Sequence, residues 1–255
     1  MIKIMILGGR GISTNIVYNY LKRYFDIKCV IIEDKVPLNK FLKRRIKKMG
    51  YGKVAGQILF KLFVSKPLSK FSKKRIRQIM EEYDIDDAPI DEQTVRRVKS
   101  VNDKEVRFII DKVKPDVIVI NGTRILSKKL LDSTDIKFIN THAGITPAYR
   151  GVHGGYWALT DKKPENFGVT VHLVDAGIDT GGILYQKNIR ISRADNFSTY
   201  PLLQLAEALP FLKKAIEDVY NNNIRIIKAD KSSSKLWSHP TIYDYLFNRL
   251  INKVK

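Results

Sequence analysis

The run Asp116 to Ile120, DVIVI, places four apolar residues in succession behind a single acid. A strand with one wet face alternates apolar and polar side chains. A strand without alternation is covered on both faces, which is the habit of parallel sheets flanked by helices. The start of the chain agrees. Lys3 to Leu7 is a short β-branched and apolar run that ends in Gly8-Gly9-Arg10-Gly11. Thr14 to Tyr24 then carries apolar residues at helical spacing, and Lys28 to Ile32 reads as a second strand. A β-turn-α-β opening followed by a doubly buried strand predicts an α/β fold, Rossmann-like, with a mostly parallel sheet and helices on both faces.

The remaining elements follow from the same patterns. A short strand is expected within Glu92 to Val101, and an amphipathic helix over Asp103 to Val113. Ser127 to Ser133 predicts a short helix and Lys137 to Ile139 a strand. Gly168 to Val174 and Gly182 to Gln186 read as strands around the turn Asp175 to Gly181. Thr199 to Tyr220 is helical in spacing, and the last 35 residues are polar and lysine-rich. The run Lys231-Ser232-Ser233-Ser234-Lys235 is expected to be an exposed loop. We expect a catalytic domain over 1–190 with a basic helical insertion at about 35–80, and a C-terminal helical extension over 191–255.

Composition narrows the class. With 255 residues, 44% of them apolar, the chain can bury a sizeable core. A single cysteine, Cys29, excludes an intrachain disulfide framework and a multi-cysteine zinc site, and we expect it in the core. No metal site is expected. No apolar run approaches the roughly 18–20 residues that span a bilayer. The first residues, MIKIMILGG, read as a strand rather than a leader, so a cytoplasmic protein is expected.

The net charge of +20 is unevenly spread. Fifteen of the 46 basic residues lie between Lys35 and Arg77, with no acid among them. Within this segment Val54, Ile58, Leu59, Leu62 and Phe63 fall on one helical face flanked by Lys53, Lys61 and Lys66. A cationic helix with an apolar face suits an anionic membrane interface. The reading is therefore a peripheral appendage over 35–77 that touches anionic lipid or a large anionic partner and takes no part in chemistry. The alternative is that the apolar face packs on the domain and the lysines are simply solvated. No specific nucleic-acid partner is expected.

Two loops carry chemistry. The turn Gly9-Arg10-Gly11 precedes a helix N-terminus, where α/β sheets bind anions. It meets only part of the dinucleotide fingerprint, because Thr14 replaces the third glycine. Glu33 and Asp34, after the second strand, stand where a ribose-binding acid would be, so a nicotinamide-dependent oxidoreductase is one rival reading. The loop after Ile139 is more specific. Asn140 and His142 are two apart, so on an extended segment they point the same way. An amide N–H and an imidazole N–H converging on one point can hold a developing oxyanion. Asp179, in Ile178-Asp179-Thr180-Gly181-Gly182, is the acid that would favour a protonated imidazole. It can equally be a turn residue before glycine.

Asn140-x-His142, Pro147-x-Tyr149-Arg150-Gly151 and Ile178-Asp179-Thr180-Gly181-Gly182 together resemble the folate-dependent formyltransferases. That family includes the glycinamide ribonucleotide, methionyl-tRNA and sugar N-formyltransferases. The resemblance is dense from about Pro115 to Gln186. It implies the formyltransferase fold and transfer of a formyl group from N10-formyltetrahydrofolate to a primary amine. It implies catalytic roles for Asn140, His142 and Asp179. It places the folate against Thr123, Arg124, Ile125 and Leu126 and against Asp175 and Gly177. The acceptor is then expected near Gly9, Gly11, Tyr149, Arg150 and His153, with helix capping the other role open to His153. His172, within an apolar strand, is read as structural. Gly144 stands where the family usually has Ser, and Ile145-Thr146-Pro147 replaces a Leu-Leu-Pro, which bears on the acceptor more than on the chemistry.

The favoured acceptor is a nucleotide-linked amino sugar or a related small amine. The tRNA enzymes carry a further C-terminal barrel domain, and only about 70 residues follow Gln186 here. The alternatives are phosphoribosylglycinamide formylation in purine synthesis, the NAD-dependent oxidoreductase, and a basic RNA- or membrane-binding protein with an inactive core.

Overall fold

The computed structural model describes residues 1–230 and 233–255. The strands are β1 (Lys3–Gly9), β2 (Asp26–Glu33), β3 (Val95–Val98), β4 (Val117–Asn121), β5 (Lys137–His142), β6 (Arg150–Gly151), β7 (Gly168–Leu173), β8 (Ile183–Asn188) and β9 (Leu236–Trp237). The helices are α1 (Ile12–Leu21), α2 (Leu38–Met49), α3 (Tyr51–Phe60), α4 (Lys66–Phe71), α5 (Lys73–Glu82), α6 (Lys104–Val113), α7 (Lys128–Leu131), α8 (Gly154–Thr160), α9 (Tyr200–Tyr220) and α10 (Ile242–Leu250). A π-helical turn, Lys61–Ser65, joins α3 to α4.

Seven strands form one sheet in the order β3-β2-β1-β4-β5-β7-β8. The first five in that order run parallel, and β7 runs antiparallel to its two neighbours, β5 and β8. Covering on both faces is visible within β1 itself. Ile4 and Ile6 pack with Val17, Leu21 and Ile216, whereas Met5 and Leu7 pack with Val106, Ile110 and Ile118 on the other side. Helices α1 and α9 cover the first face and α6 the second, so the absence of polar alternation has its expected cause. Residues beyond 190 share this core, since Leu209, Leu212 and Ala215 of α9 belong to the first cluster.

A third, aromatic cluster joins the basic segment to the chain's end. Phe60 of α3 and Ile79 of α5 pack with Tyr156, Trp157, Phe197 and Tyr245. Arg75 Nε lies 2.8 Å from Asp195 Oδ1, an acid almost wholly buried, which pins α5 to the loop before α9. Of the predicted stripe, Val54 is buried while Ile58, Leu59, Leu62 and Phe63 are exposed, and the neighbouring Phe60 is buried. The polar tail holds two elements its composition hides, β9 and α10. Helix α10 starts with a capping box between Thr241 and Asp244. The loop expected at 231–235 lies partly outside the described residues. Among the described residues no helix is long and apolar enough to cross a membrane.

The chain runs outward from β1 to β2 and β3, then crosses back to β4 on the other side. That reversal is a topological switch point, and open α/β sheets bind ligands beyond the carboxyl ends of their strands there. A cavity of about 880 Å³ lies beside the ends of β4 and β5.

Candidate active site

Strand β5 presents Asn140 and His142 to this cavity, two residues apart and on one side. Antiparallel pairing sets Asn140 directly opposite His172 of β7, and Asn140 Nδ2 lies 3.2 Å from His172 Nε2. The turn after β7 returns Asp179 to the same place. Its Oδ2 is 3.3 Å from His142 Nδ1, and its Oδ1 is 3.6 Å from His172 Nε2. The Gly151 N–H donates to Asp179 Oδ2 at 2.9 Å. Asp179 adopts a left-handed φ of 50°, which Asp tolerates better than most residues. The structure thus brings the three expected residues together and adds His172. Its position in β7 opposite β5 makes it a neighbour of Asn140, which corrects its reading as a purely structural residue.

The electrostatics follow from burial and partners. Burial alone would raise the Asp179 carboxyl. The nearby His172 and His142 rings and the Gly151 N–H outweigh burial and hold it at about 2. For His142, burial pushes the imidazole below its ordinary value, and the opposing pull of Asp179 and the Tyr149 carbonyl does not restore it. Burial thus works against the protonated imidazole that the Asp179 carboxylate favours. A carbonyl oxygen only accepts, so His142 Nε2 donates to Tyr149 O at 2.6 Å. Nδ1 is left as the nitrogen that faces Asp179.

Thr123, Arg124, Ile125, Leu126, Asp175 and Gly177 all line the cavity. The loop after β4 is held from behind by Glu33, a buried acid. Its Oε1 accepts the Arg124 N–H at 2.6 Å and its Oε2 accepts the Val101 N–H at 3.2 Å. The Arg124 guanidinium turns back to Glu33 and to the Asp34 and Lys99 carbonyls. Glu33 is fully engaged in shaping this loop, so it is not poised to bind a ribose.

Four expected acceptor residues, Gly9, Gly11, Tyr149 and Arg150, stand outside the cavity wall. A Cβ on Gly9 would lie 2.4 Å from the Gly122 carbonyl, so the glycine turn is closed against the loop after β4. Thr14, in the third fingerprint position, caps the Gly9 carbonyl through its hydroxyl at 2.7 Å. Tyr149 is buried, its hydroxyl reaches Asp161 and its carbonyl serves His142. Arg150 binds the Ile178 carbonyl and Ser234 Oγ, steadying the turn that carries Asp179. Gly9, Tyr149 and Arg150 thus pack behind the site, and a Cβ on Gly11 would meet nothing within 4 Å.

His153 does line the cavity, beside His239. Its Nε2 lies 2.9 Å from His239 Nδ1. Burial, reinforced for His153 by its partner, pushes His153 down to about 3, and burial with nearby Arg45 and Lys61 pushes His239 down to about 4. The native pair is neutral. A histidine with a depressed native pKa contributes stability in full above the unfolded value of about 6.5, and loses it as pH falls toward the native value. Below that point the unfolded chain binds more protons. Stability is expected to fall between pH 6.5 and 4 by about 1.4 kcal/mol per pH unit per imidazole. Denaturant melts at pH 7 and pH 5 measure this. A His153→Asn/His239→Asn variant should show a flatter acid slope than the wild type.

The basic segment is not a bystander. Phe41, Arg45, Lys48 and Met49 recur at i, i+4, i+7 and i+8 on α2, and that one face lines the cavity with Lys53 of α3. The expected peripheral appendage, uninvolved in the site, is corrected on this point. The sequence had no signal for it, because the side of α2 that faces in is set by tertiary contacts, α2 packing on α3 and α3 on α10.

Comparison with known proteins adds the family. The family model described as Formyl transferase matches residues 41–202. The chain belongs to this family. The match begins inside the basic segment, so most of that segment lies within the family's own domain. A curated relative, the methionyl-tRNA formyltransferase of Kosmotoga olearia, is 30% identical over 191 residues, covering 71% of this chain and 57% of the relative. The chain therefore spans little more than half of that relative's length. Among solved structures, a sugar N-formyltransferase from Shewanella sp FDAARGOS_354 aligns with TM-score 0.56 at 17% identity, over 93% of this chain and 76% of that one. Glycinamide ribonucleotide transformylase 1 from Symbiobacterium toebii aligns with TM-score 0.57 at 16% identity, over 89% and 95%. These two show the fold.

Proposed function

We propose that the chain transfers a formyl group from N10-formyltetrahydrofolate to a primary amine on a small molecule, with a nucleotide-linked amino sugar as the favoured acceptor. The observation that carries the reading is the meeting of Asn140, His142 and Asp179 at one end of a cavity. The folate fits the residues present. Ile120, Leu126 and Val174 give that end apolar walls for a flat ring. The Leu126 N–H, in a residue 4% exposed, has no acceptor among the described residues and is free to bind a ring heteroatom. When bound, the folate supplies the formyl carbon that the amine attacks.

The chain's own groups do the rest. Asn140 gives one amide N–H to His172 and keeps a second for the formyl oxygen as negative charge develops there. Asp179, ionised at working pH, draws a proton toward His142 Nδ1. The pair can take the proton that the attacking amine loses. Methionyl-tRNA is the second reading, favoured by the name of the 30%-identical relative.

A panel of amines, including an aminosugar nucleotide, phosphoribosylglycinamide and methionyl-tRNA, incubated with N10-formyltetrahydrofolate tests the proposal. Tetrahydrofolate release with a small amine is the expected result. Release with methionyl-tRNA alone would replace the favoured acceptor with the second reading. Tight NAD binding without folate binding would overturn the transferase reading.

A further inference from the structure

We infer that α2 and the start of α3 form an anion clamp for the acceptor: Arg45, Lys48 and Lys53 bind the phosphate or diphosphate group that carries the amine. The inference rests on the reading of the chain as a transferase acting on a small amine, and it assigns recognition to helices outside the catalytic group.

The first observation is charge without a partner. Apart from Arg124, which is paired with Glu33, the cations on the cavity wall are Arg45, Lys48 and Lys53. None of the three joins an ion pair among the described residues. The cavity's two acids are already engaged. Asp179 holds the histidines, and Asp175 accepts from the Gly177 N–H and Thr180 Oγ1. His153 and His239, neutral because burial lowers them, add no positive charge. A half-buried guanidinium without a carboxylate pays for desolvation that an anionic ligand would offset.

The second observation is that Arg45 is aimed. Its Nη2 donates to Gln57 Oε1 at 2.5 Å, and Gln57 Nε2 donates to the His239 carbonyl at 2.6 Å. His239 in turn bonds His153, two residues after the Gly151 that holds Asp179. This chain of contacts fixes the guanidinium relative to the reacting end of the cavity. Arg45 has five N–H donors and one goes to Gln57, which leaves a fork suited to phosphate oxygens. Burial lowers the Arg45 pKa, yet an arginine stays charged at any working pH.

A small phosphorylated ligand suits this arrangement better than a nucleic acid does, because Arg45 and Lys48 of α2 and Lys53 of α3 all line the cavity that holds the reacting groups. Calorimetric titration of the whole chain with inorganic pyrophosphate, with tetrahydrofolate and with a short RNA duplex tests this. Pyrophosphate is expected to bind the wild type, more weakly as salt rises. Arg45→Gln and Lys48→Gln should each weaken it about tenfold or more, and the pair more than either alone. Tetrahydrofolate affinity should be unchanged in all three, which also certifies folding. Lys48→Gln/Lys53→Gln, at exposed positions, repeats the test without disturbing Gln57. Unchanged pyrophosphate binding in the double variants would overturn the inference. So would a wild type that binds tetrahydrofolate or RNA but not pyrophosphate. Arg45-dependent pyrophosphate binding without folate binding would uphold the clamp and sink the transferase reading instead.

Discussion

Asp179→Asn is expected to lower kcat by about 10²–10³-fold with little change in KM, and His142→Ala by a similar factor. The substitution keeps the shape of the side chain and an oxygen for the Gly151 N–H, so the turn should persist. It removes the charge. Asp179 is held ionised at about 2, and it is the group that opposes burial at His142. Without it the imidazole drops further below its ordinary value and cannot take the amine's proton. The interaction is needed as charge moves, so the loss belongs in kcat. The double variant should lose far less than the product of the singles, because the pair passes one proton as a unit. Circular dichroism and folate binding should match the wild type. Near-normal turnover in either single variant would contradict the assignment.

The resting state of His142 shows where sequence reading stops. That Asn140, His142 and Asp179 belong together was legible, because residue type and spacing are local and the turn Ile178 to Gly182 has a recognisable pattern. The protonation state was not, because it balances one carboxylate against the full enclosure of a ring. Enclosure comes from Tyr149, Gly144 and the whole loop 143–151. A Cβ on Gly144 would lie 2.8 Å from His142 Nε2 and 2.6 Å from the Tyr149 carbonyl. Glycine at 144 leaves room for that loop to close over the ring.

His172 and α2 were missed for a related reason. In sequence His172 is one polar residue inside Gly168–Leu173, and nothing local separates a core histidine from one in a site. Its meaning comes from register: an antiparallel partner that pairs Asn140 with His172 rather than with a neighbour. The basic segment was legible as amphipathic helices with an unusual charge. Which side faces in depends on Phe60, Ile79 and Tyr245 meeting across some 180 residues, and no local pattern encodes that. The parallel sheet was legible early because a doubly buried strand leaves its mark in every residue.

Gly151→Ala should combine a loss of stability of several kcal/mol with a fall in kcat of at least about 10²-fold. Gly151 sits at φ 97°, a conformation that an L side chain adopts at a cost. A Cβ there would lie 2.3 Å from the Trp237 carbonyl, and backbone cannot swing aside as a side-chain end can. Either β6 or β9 must move. Moving β6 withdraws the N–H that holds Asp179 Oδ2. Moving β9 shifts Trp237, which stacks on Trp157 at 4.6 Å between ring centres and lines the cavity near the acceptor end. Gly50→Ala separates the two causes. Gly50 has φ 81° with ψ 161° and nothing within 4 Å of its Cβ position, so it carries only the backbone part, about 1–3 kcal/mol. Thermal melts should show a clearly larger loss for Gly151→Ala, and kinetics should show loss of turnover in that variant at temperatures where it is still folded. Equal melting losses for the two variants, with turnover intact, would mean that the β6–β9 contact does not position Asp179.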